Sequence, residues 1–229
     1  MFTGIVQGIA HVEQVADRPG LRRLRLRIPF GFDAGLAIGA SVAVDGVCLT
    51  VSALHDGGAE FDVMAQTLSL TTLGTLVLGA GVNVERAAGP NAEVGGHVLS
   101  GHVDFQATLA SVREPENNRV LRVAVPAPWI RYIFANGYIA VNGASLTVAE
   151  AQREHDGRGW FEVWLIPETL RMTTFGAKCG GDALHIEIER QTQVIVDTVR
   201  AAVDERLGPL LPALAAFARE HGLALELGD

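Results

Sequence analysis

The sequence predicts an all-β protein: two small antiparallel barrels in tandem, followed by a C-terminal α-helix. Three observations carry that expectation. The chain repeats itself once, at a shift of 97 residues. Each copy reads as short β segments punctuated by turn signals, with no long amphipathic helix between them. Only after the second copy does the apolar spacing change to that of a helix. Short strands without intervening helices argue for a barrel or sandwich and against βαβ units.

The repeat comes first in the argument. Ala43-Val-Asp-Gly-Val-Cys-Leu-Thr-Val51 lies over Ala140-Val-Asn-Gly-Ala-Ser-Leu-Thr-Val148 with six of nine positions identical. The same shift pairs Gly4-Ile-Val6 with Gly101-His-Val103, Leu24-Arg25 with Leu121-Arg122, and Pro29 with Pro126, all without a gap. Past a loop that is five residues longer in the second copy, the shift becomes 102. It then pairs Thr67-Leu68 with Thr169-Leu170, Thr71-Thr72 with Thr173-Thr174, and Val82-Asn-Val-Glu85 with Leu184-His-Ile-Glu187. Chance does not hold one register over that length.

In chain order, strands are expected over 24–28, 41–44, 48–53, 60–64 and 82–86, where apolar and β-branched residues run or alternate. Asp56-Gly57-Gly58 marks a turn among them. The breaker cluster Gly89-Pro-Asn-Ala-Glu-Val-Gly-Gly96 is the expected boundary, giving barrels over 1–96 and 97–190. In the last segment, 191–229, Ile195, Val196, Val199, Ala202 and Val203 recur at helical spacing, opposite Asp197, Arg200, Asp204 and Glu205. Pro209 and Pro212 should break or kink this helix, with another turn or two over 213–221. The stripe needs cover, either from its own barrel or from another copy of the chain. The two barrels are already complete, so an oligomerisation helix is preferred.

Composition bounds the function. Of 229 residues, 48% are hydrophobic and 19% charged, which excludes disorder for the body of the chain. Eighteen basic residues face 26 acidic ones, for a net charge of −8, with no basic block. Nucleic acid and anionic membrane surfaces are therefore not expected partners. Lys178 is the single lysine, a composition bias that carries no mechanism. The opening Met1-Phe-Thr-Gly-Ile-Val6 lacks the basic and apolar regions of a signal peptide. The apolar stretch 207–218 holds two prolines and is shorter than the ~20 residues that span a bilayer. A soluble protein of the cytoplasm is expected. Cys48 and Cys179 fit a reducing compartment, and no CxxC or closely spaced Cys/His set suggests zinc.

The copies are most informative where they disagree. Cys48 stands opposite Ser145, and Ile5 opposite His102. Two apolar barrel pockets with unlike polar groups would suit two heteroaromatic ligands. Cys48 is either a nucleophile or thiolate base, or an inert core thiol. His102, Asp104 and Ser145 can be drawn as a hydrolase triad, but Ser145 lacks the Gly-x-Ser-x-Gly elbow. His97 and His102 have no third metal ligand at a recognisable spacing. The glycines at 79, 81, 95 and 96 do not form a dinucleotide fingerprint. Glu168 and Thr169 either cap a turn or touch ligand.

Seven motifs then occur together and in order: Met1-Phe-Thr-Gly-Ile-Val6, Cys48-Leu-Thr50, Asn83-Val-Glu-Arg86, Gly95-Gly-His-Val-Leu-Ser-Gly-His102, Ser145-Leu-Thr147, Leu165-Ile-Pro-Glu-Thr-Leu170 and Gln191-Thr192. With them the chain resembles the α-subunit-type riboflavin synthase family over roughly residues 1–200. The resemblance implies two six-stranded Greek-key barrels, a C-terminal helix that builds a homotrimer, one lumazine per barrel, and no metal or cofactor. The implied reaction is a dismutation, in which one dimethyl-ribityl-lumazine donates four carbons to another. The enzyme that makes lumazine is a candidate partner.

By resemblance, the first pocket uses Gly4, Ile5, Val6, Cys48, Leu49, Thr50 and Asp62, Val63, Met64, Ala65, Gln66 and Thr67. The second uses Gly101, His102, Val103, Ser145, Leu146, Thr147, Ile166, Pro167, Glu168 and Thr169, with Asn136 as a further contact. The resemblance gives His102 acid/base work and Cys48 the nucleophile's support, while Ser145 and Thr147 bond the ring. Three positions depart from the family. Glu189-Arg190 replaces an acid and proline, Asn136 stands where lysine is frequent, and Gln66 where glutamate is usual. The rival reading is the family's non-catalytic lumazine- or flavin-binding relative, which lacks the cysteine and histidine present here as Cys48 and His102.

Overall fold

A computed structural model of the protein describes residues 1–221; the end of the expected helical segment, 222–229, lies outside the described residues. The first barrel is built from β1 (Gly8–Arg18), β2 (Leu21–Arg27), β3 (Ser41–Val44), β4 (Val47–His55), β5 (Gly58–Met64) and β6 (Gly81–Arg86), closed in the order β1-β2-β5-β4-β3-β6. The second uses β7 (Phe105–Arg113), β8 (Arg119–Val125), β9 (Tyr138–Val141), β10 (Ala144–Arg153), β11 (Gly159–Leu165) and β12 (Ala183–Ile188). It closes as β7-β8-β11-β10-β9-β12, the same order displaced by one copy. The pairings are antiparallel, and β2 pairs with β5 and β3 with β6, the long-range pairings of a Greek key.

Alternation explains each strand. In β2, Leu24 and Leu26 point inward and are fully buried, while Arg23 and Arg27 point outward to Asp62 and Glu13. Ala10, Val12, Val42, Val44, Leu49, Val51, Phe61, Val63, Val82 and Val84 fill the rest of the first interior. A six-stranded barrel is narrow enough for side chains to fill it, which leaves the outward faces and the loops for any pocket.

Two kinds of element escaped the sequence pattern. Strand β1 carries a bulge between Val12 and Gln14, which breaks its period-two alternation. Helices α1 (Ala65–Leu70) and α2 (Pro167–Met172), at matched positions after β5 and β11, are too short to show a helical period.

The two barrels form one compact unit, Met1–Glu189, and meet through their hairpin tips. Asp45-Gly46 joins β3 to β4 with φ of 45° and 82°, and Asn142-Gly143 joins β9 to β10 with 42° and 79°, the signature of type I′ turns. The bonds across the join are paired by pseudo-symmetry. Asn83 Nδ2 donates to Asn142 O at 3.0 Å, and its matched residue His185 reaches Asp45 O from Nδ1 at 2.8 Å. The Thr174 N–H donates to Asn83 Oδ1 at 2.8 Å, and the Thr72 N–H to His185 Nε2 at 2.7 Å. A backbone N–H can only donate, so Nε2 of His185 is bare and Nδ1 carries the proton to Asp45 O.

Burial sets two opposed titrations here. The Asp45 carboxyl is pushed up to about 7 by desolvation, which the Asn83 N–H only partly offsets. His185 is pushed down to about 4 by desolvation, against the pull of its bond to Asp45. For Asp45 the folded value exceeds the ordinary 3.8, so its share of stability is full below about pH 4 and is lost as pH rises through 7. His185 acts oppositely: its share is present above pH 6.5 and is lost as pH falls through about 4. Asp45→Asn, which installs the residue the second copy carries at 142, is expected to raise stability above pH 7 by roughly 2–4 kcal/mol, at about 1.4 kcal/mol per unit. The gain should vanish near pH 4. Denaturant midpoints across that range check it, and a gain independent of pH would refute the assignment.

The second unit, Arg190–Asp229, begins with α3 (Arg190–Leu207) and, after a single 3-10 turn over Gly208–Leu210, continues with α4 (Leu211–Glu220). Pro209 and Pro212 fall in the opening turns of the 3-10 turn and of α4, where no N–H is needed, so they punctuate the segment and do not kink a helix. Ile195, Val199 and Val203 on α3 are 47–62% exposed. Among the described residues, no helix is long and apolar enough to cross a membrane, and no group of three or more His, Cys, Asp or Glu could hold a metal ion.

Candidate functional site

The pocket is built by an exchange of loops. The first residues of the chain leave their own barrel: Phe2 and Leu99 pair backbone to backbone, at 2.9 and 3.0 Å. The Ser145 N–H of the second barrel donates to Gly4 O at 2.8 Å, and the Cys48 N–H of the first donates to Gly101 O at 2.8 Å. Both glycines have positive φ, 75° and 79°. A Cβ on Gly4 would lie 2.5 Å from Ser145 Cβ, and one on Gly101 2.6 Å from Cys48 Cβ. Only glycine permits that approach. Val103 packs on the first barrel's core. The expected grouping is therefore corrected: Gly4-Ile5-Val6 covers Ser145, and Gly101-His102-Val103 covers Cys48.

Two buried carboxylates hold the exchanged loops. Glu85 accepts from the Thr3 N–H at 2.6 Å, the Thr3 hydroxyl at 2.7 Å and the Gly4 N–H at 3.0 Å. Glu187 repeats this with the Ser100 N–H, the Ser100 hydroxyl and the Gly101 N–H at 2.7, 2.7 and 3.0 Å. Desolvation raises both carboxyls above the ordinary range, against the pull of those donors. Sequence reasoning missed these two as site residues. The available signal was an identical acid at the end of matched strands.

On the Ser145 side the loops enclose an open cleft of about 290 Å³, lined by Gly4, Ile5, Val6, Ala144, Ser145, Leu146, Glu168, Thr169, Met172 and Thr173. Ser145 and Thr147 share the outward face of β10, at i and i+2, while Leu146 between them is buried. Glu168 pairs with Arg171 at 2.6 Å on α2, and the Thr173 hydroxyl donates to Thr169 O at 2.6 Å. The N-cap of α2 has no side-chain bond, so Glu168 and Thr169 are cleft residues and not caps. Ile166 is exposed, and Pro167 opens the helix.

On the Cys48 side, Cys48 and Thr50 share the outward face of β4, with Leu49 turned into the core. Cys48 is a free, half-buried thiol packed against Phe2, Ala43, Leu99 and Ala140. His102 follows Gly101 directly and is exposed, its N–H held by Ser100 Oγ at 3.3 Å. Met64 is exposed and Ala65, Gln66 and Thr67 open α1, but Val63 faces the core and Asp62 is engaged by Nε and Nη2 of Arg23, each at 2.7 Å. That guanidinium holds the Asp62 carboxyl below the usual range. Asn136 occupies a tight turn at φ 64°, matching Gly39 at 89° in the first copy. Asparagine tolerates that conformation better than a lysine would, which accounts for the departure.

The drawn hydrolase triad is not assembled. His102 belongs with Cys48, Asp104 accepts from the Ile188 N–H at 2.8 Å, and Ser145 Oγ lies 2.6 Å from Nδ1 of a different histidine, His97. His97 is buried and stacks on Tyr138, with 5.3 Å between centroids and 18° between planes. Desolvation holds its imidazole below the ordinary value, with Glu189 pulling the other way.

Comparison with known proteins agrees with this architecture. The lumazine binding domain family matches residues 3–87 and again 100–189. Riboflavin synthase of Escherichia coli is 43% identical over 207 residues, covering 90% of this chain and 95% of that protein. Riboflavin synthase of Mycobacterium tuberculosis is 39% identical over 203 residues, covering 88% and 100%. The fold is shared with LumP solved in complex with riboflavin, at TM-score 0.74 and 24% identity, covering 83% of this chain and 100% of that one. LumP complexed with 6,7-dimethyl-8-(1'-D-ribityl) lumazine gives 0.72 and 23% over the same shares. At those identities the likeness is one of fold. With two copies of the domain and relatives matched over most of their length, the chain belongs to the lumazine-binding riboflavin synthase family.

Proposed function

We propose that the protein is a riboflavin synthase: it takes two molecules of 6,7-dimethyl-8-ribityllumazine, transfers four carbons from one to the other, and releases riboflavin and 5-amino-6-ribitylamino-pyrimidinedione. The observation that carries this reading is a pair of homologous loop-covered faces in one chain whose polar equipment differs, Cys48 beneath the Gly101–His102 loop in one and Ser145 with His97 in the other, the latter opening as a cleft. Donor and acceptor are the same compound in opposite roles, which calls for two pockets alike in shape and unlike in chemistry. The acidic methyl of one ring must lose a proton while an electron-poor ring carbon takes up a nucleophile. Both steps need positioned acid/base groups. His102 moves the proton and Cys48 supports the nucleophile, while Ser145 and Thr147 hydrogen-bond the ring.

Incubating the purified protein with the lumazine and following riboflavin absorbance tests the reading. Fluorescence change without conversion would favour the non-catalytic binding relative. That relative is kept as the second reading because the solved LumP complexes share this fold.

The exposed stripe of α3 supports oligomerisation through that helix, and the assembly we propose is a cytoplasmic homotrimer in which the first barrel of one copy faces the second barrel of its neighbour. Truncation after Gln191 is expected to give monomers that bind ligand but turn over at least tenfold more slowly. Sedimentation and turnover measurements check this, and a fully active truncated monomer would sink the shared-site arrangement.

A further inference from the structure

We infer that the outward face of the first barrel carries an oxyanion site, a hollow among β1, β2 and β5 that takes the phosphoryl group of free phosphate or of a phosphate monoester. The site shares no residue with the cleft over Ser145 or the face of Cys48, and it does not depend on what those bind. The hollow has a volume of about 140 Å³ and is lined by Gln14, Ala16, Arg18, Arg23, Arg25 and Glu60. A water's share of liquid volume is about 30 Å³, so a tetrahedral oxyanion has room.

Strand alternation puts these side chains together. Past the bulge in β1, Gln14, Ala16 and Arg18 share the outward face, with Gln14 opposite Arg25 and Ala16 opposite Arg23 on β2. Glu60 stands opposite Arg25 on β5. The donors of this set are only partly committed. Arg23 gives Nε and Nη2 to Asp62, each at 2.7 Å, and lies 3.6 Å from Glu60. Arg25 has Glu13 at 3.8 Å, and its Nε is buried with no hydrogen-bond partner among the described residues. Arg18 is exposed, and its guanidinium has no hydrogen bond or ion pair among the described residues. Three guanidiniums therefore line the hollow against one carboxylate. A buried N–H without an acceptor costs free energy that a bound anion would recover, and the planar guanidinium fork matches phosphoryl oxygens.

The second copy shows the same face supplying its own anion. Arg122, the match of Arg25, gives its Nε to Glu162 at 2.7 Å, and Arg113, the match of Ala16, reaches the other oxygen of Glu162 at 2.6 Å. Trp160 covers Arg122, with its ring centroid 3.9 Å from the guanidinium carbon. In the first copy the matched carboxylate, Glu60, sits by Arg23, while Ala16 stands for Arg113 and Gly58 for Trp160. The acceptor that satisfies Nε of Arg122 thus has no counterpart on Arg25, and an external oxyanion fits that role.

Calorimetric titration of the full chain at low ionic strength, with inorganic phosphate and separately with glycerol phosphate, tests the site. The parent should bind phosphate, more weakly as sodium chloride is added. Arg25→Gln should weaken binding about tenfold or more, the size of one lost hydrogen bond to a charged group. Arg18→Gln, which removes an exposed charge, should weaken it about threefold. Ala16→Arg installs the residue of the second copy; it adds positive charge yet should abolish binding, because the new side chain fills the hollow and takes Glu60. Arg158→Gln removes an arginine from the second barrel and should keep parental affinity. Phosphate binding without glycerol phosphate binding assigns a free anion to the site, and binding of both assigns the phosphoryl end of a larger molecule. A parent that binds neither overturns the inference, as does parental affinity in Arg25→Gln. Tighter binding by Ala16→Arg, or equal loss in Arg158→Gln, would mark attraction to net charge alone and overturn it too. If Arg25→Gln fails to fold, as its unfolding midpoint reports, Ala16→Arg and Arg18→Gln decide by the same criteria.

Discussion

His102→Gln is expected to lower turnover by about 10²-fold or more while changing lumazine affinity far less, because a placed acid/base group contributes on the order of 10²–10⁴-fold to a proton transfer. The geometry supports a dynamic, not a structural, histidine. His102 is exposed and so can exchange protons with water, yet the peptide that leads into it is held at both its polar atoms: Gly101 O takes the Cys48 N–H and Ser100 Oγ takes the His102 N–H. A histidine that merely satisfied a bond at the barrel end would instead lower the unfolding midpoint and weaken binding in parallel. Measuring kcat, KM and thermal midpoint together separates the two, and unchanged kcat removes the acid/base role.

The second large effect concerns the carboxylates that hold the loops. Glu187→Ala leaves the Ser100 N–H, the Ser100 hydroxyl and the Gly101 N–H without their acceptor. Bonds to a charged acceptor are worth about 1.5–3 kcal/mol each and are not additive, so the expected loss is roughly 2–4 kcal/mol of stability. Glu85→Ala should lose a similar amount through Thr3 and Gly4. The more telling readout is which ligand site fails. Glu85 lies in the first barrel but holds the loop over Ser145, so Glu85→Ala should weaken binding at the second barrel's cleft. Glu187→Ala should weaken binding at the cleft of Cys48. Lumazine titration resolving two sites decides it, and damage confined to each residue's own barrel would refute the loop exchange.

Much of this could be read from the sequence because the repeat is long and the strands alternate cleanly. The hairpin of 41–44 with 48–53 carries Asp45-Gly46 at its tip and its counterpart in the second copy Asn142-Gly143, whose conformation suits two-residue turns. Strand β1 could not be read, since its bulge shifts the inward set from one side of the alternation to the other. The loop exchange was hidden for a different reason. An internal alignment tells which residues match, but not which barrel a matched loop covers. His97 entered the sequence reading only as a discounted metal ligand and as one member of the Gly95–His102 motif, because it has no partner in the repeat and a contact 48 positions away to Ser145 leaves no periodic trace. The opposed titrations of Asp45 and His185 depend wholly on burial at a join that composition does not show.

The crossing of the loops also changes what the stretch 89–96 does. Neither half of the chain carries a whole cleft, so the repeat is modular as sequence and indivisible as a machine. A short tether sets an effective concentration in the millimolar range for the two halves it joins. It therefore makes the meeting of unlike barrels an intramolecular event that outcompetes encounters between like ones in other molecules. Without the tether, a Cys48 barrel could close over its own kind and a Ser145 barrel over its own, and the chemical difference between the copies would be divided among separate particles. The eight linker residues guarantee that every folded chain contains one of each.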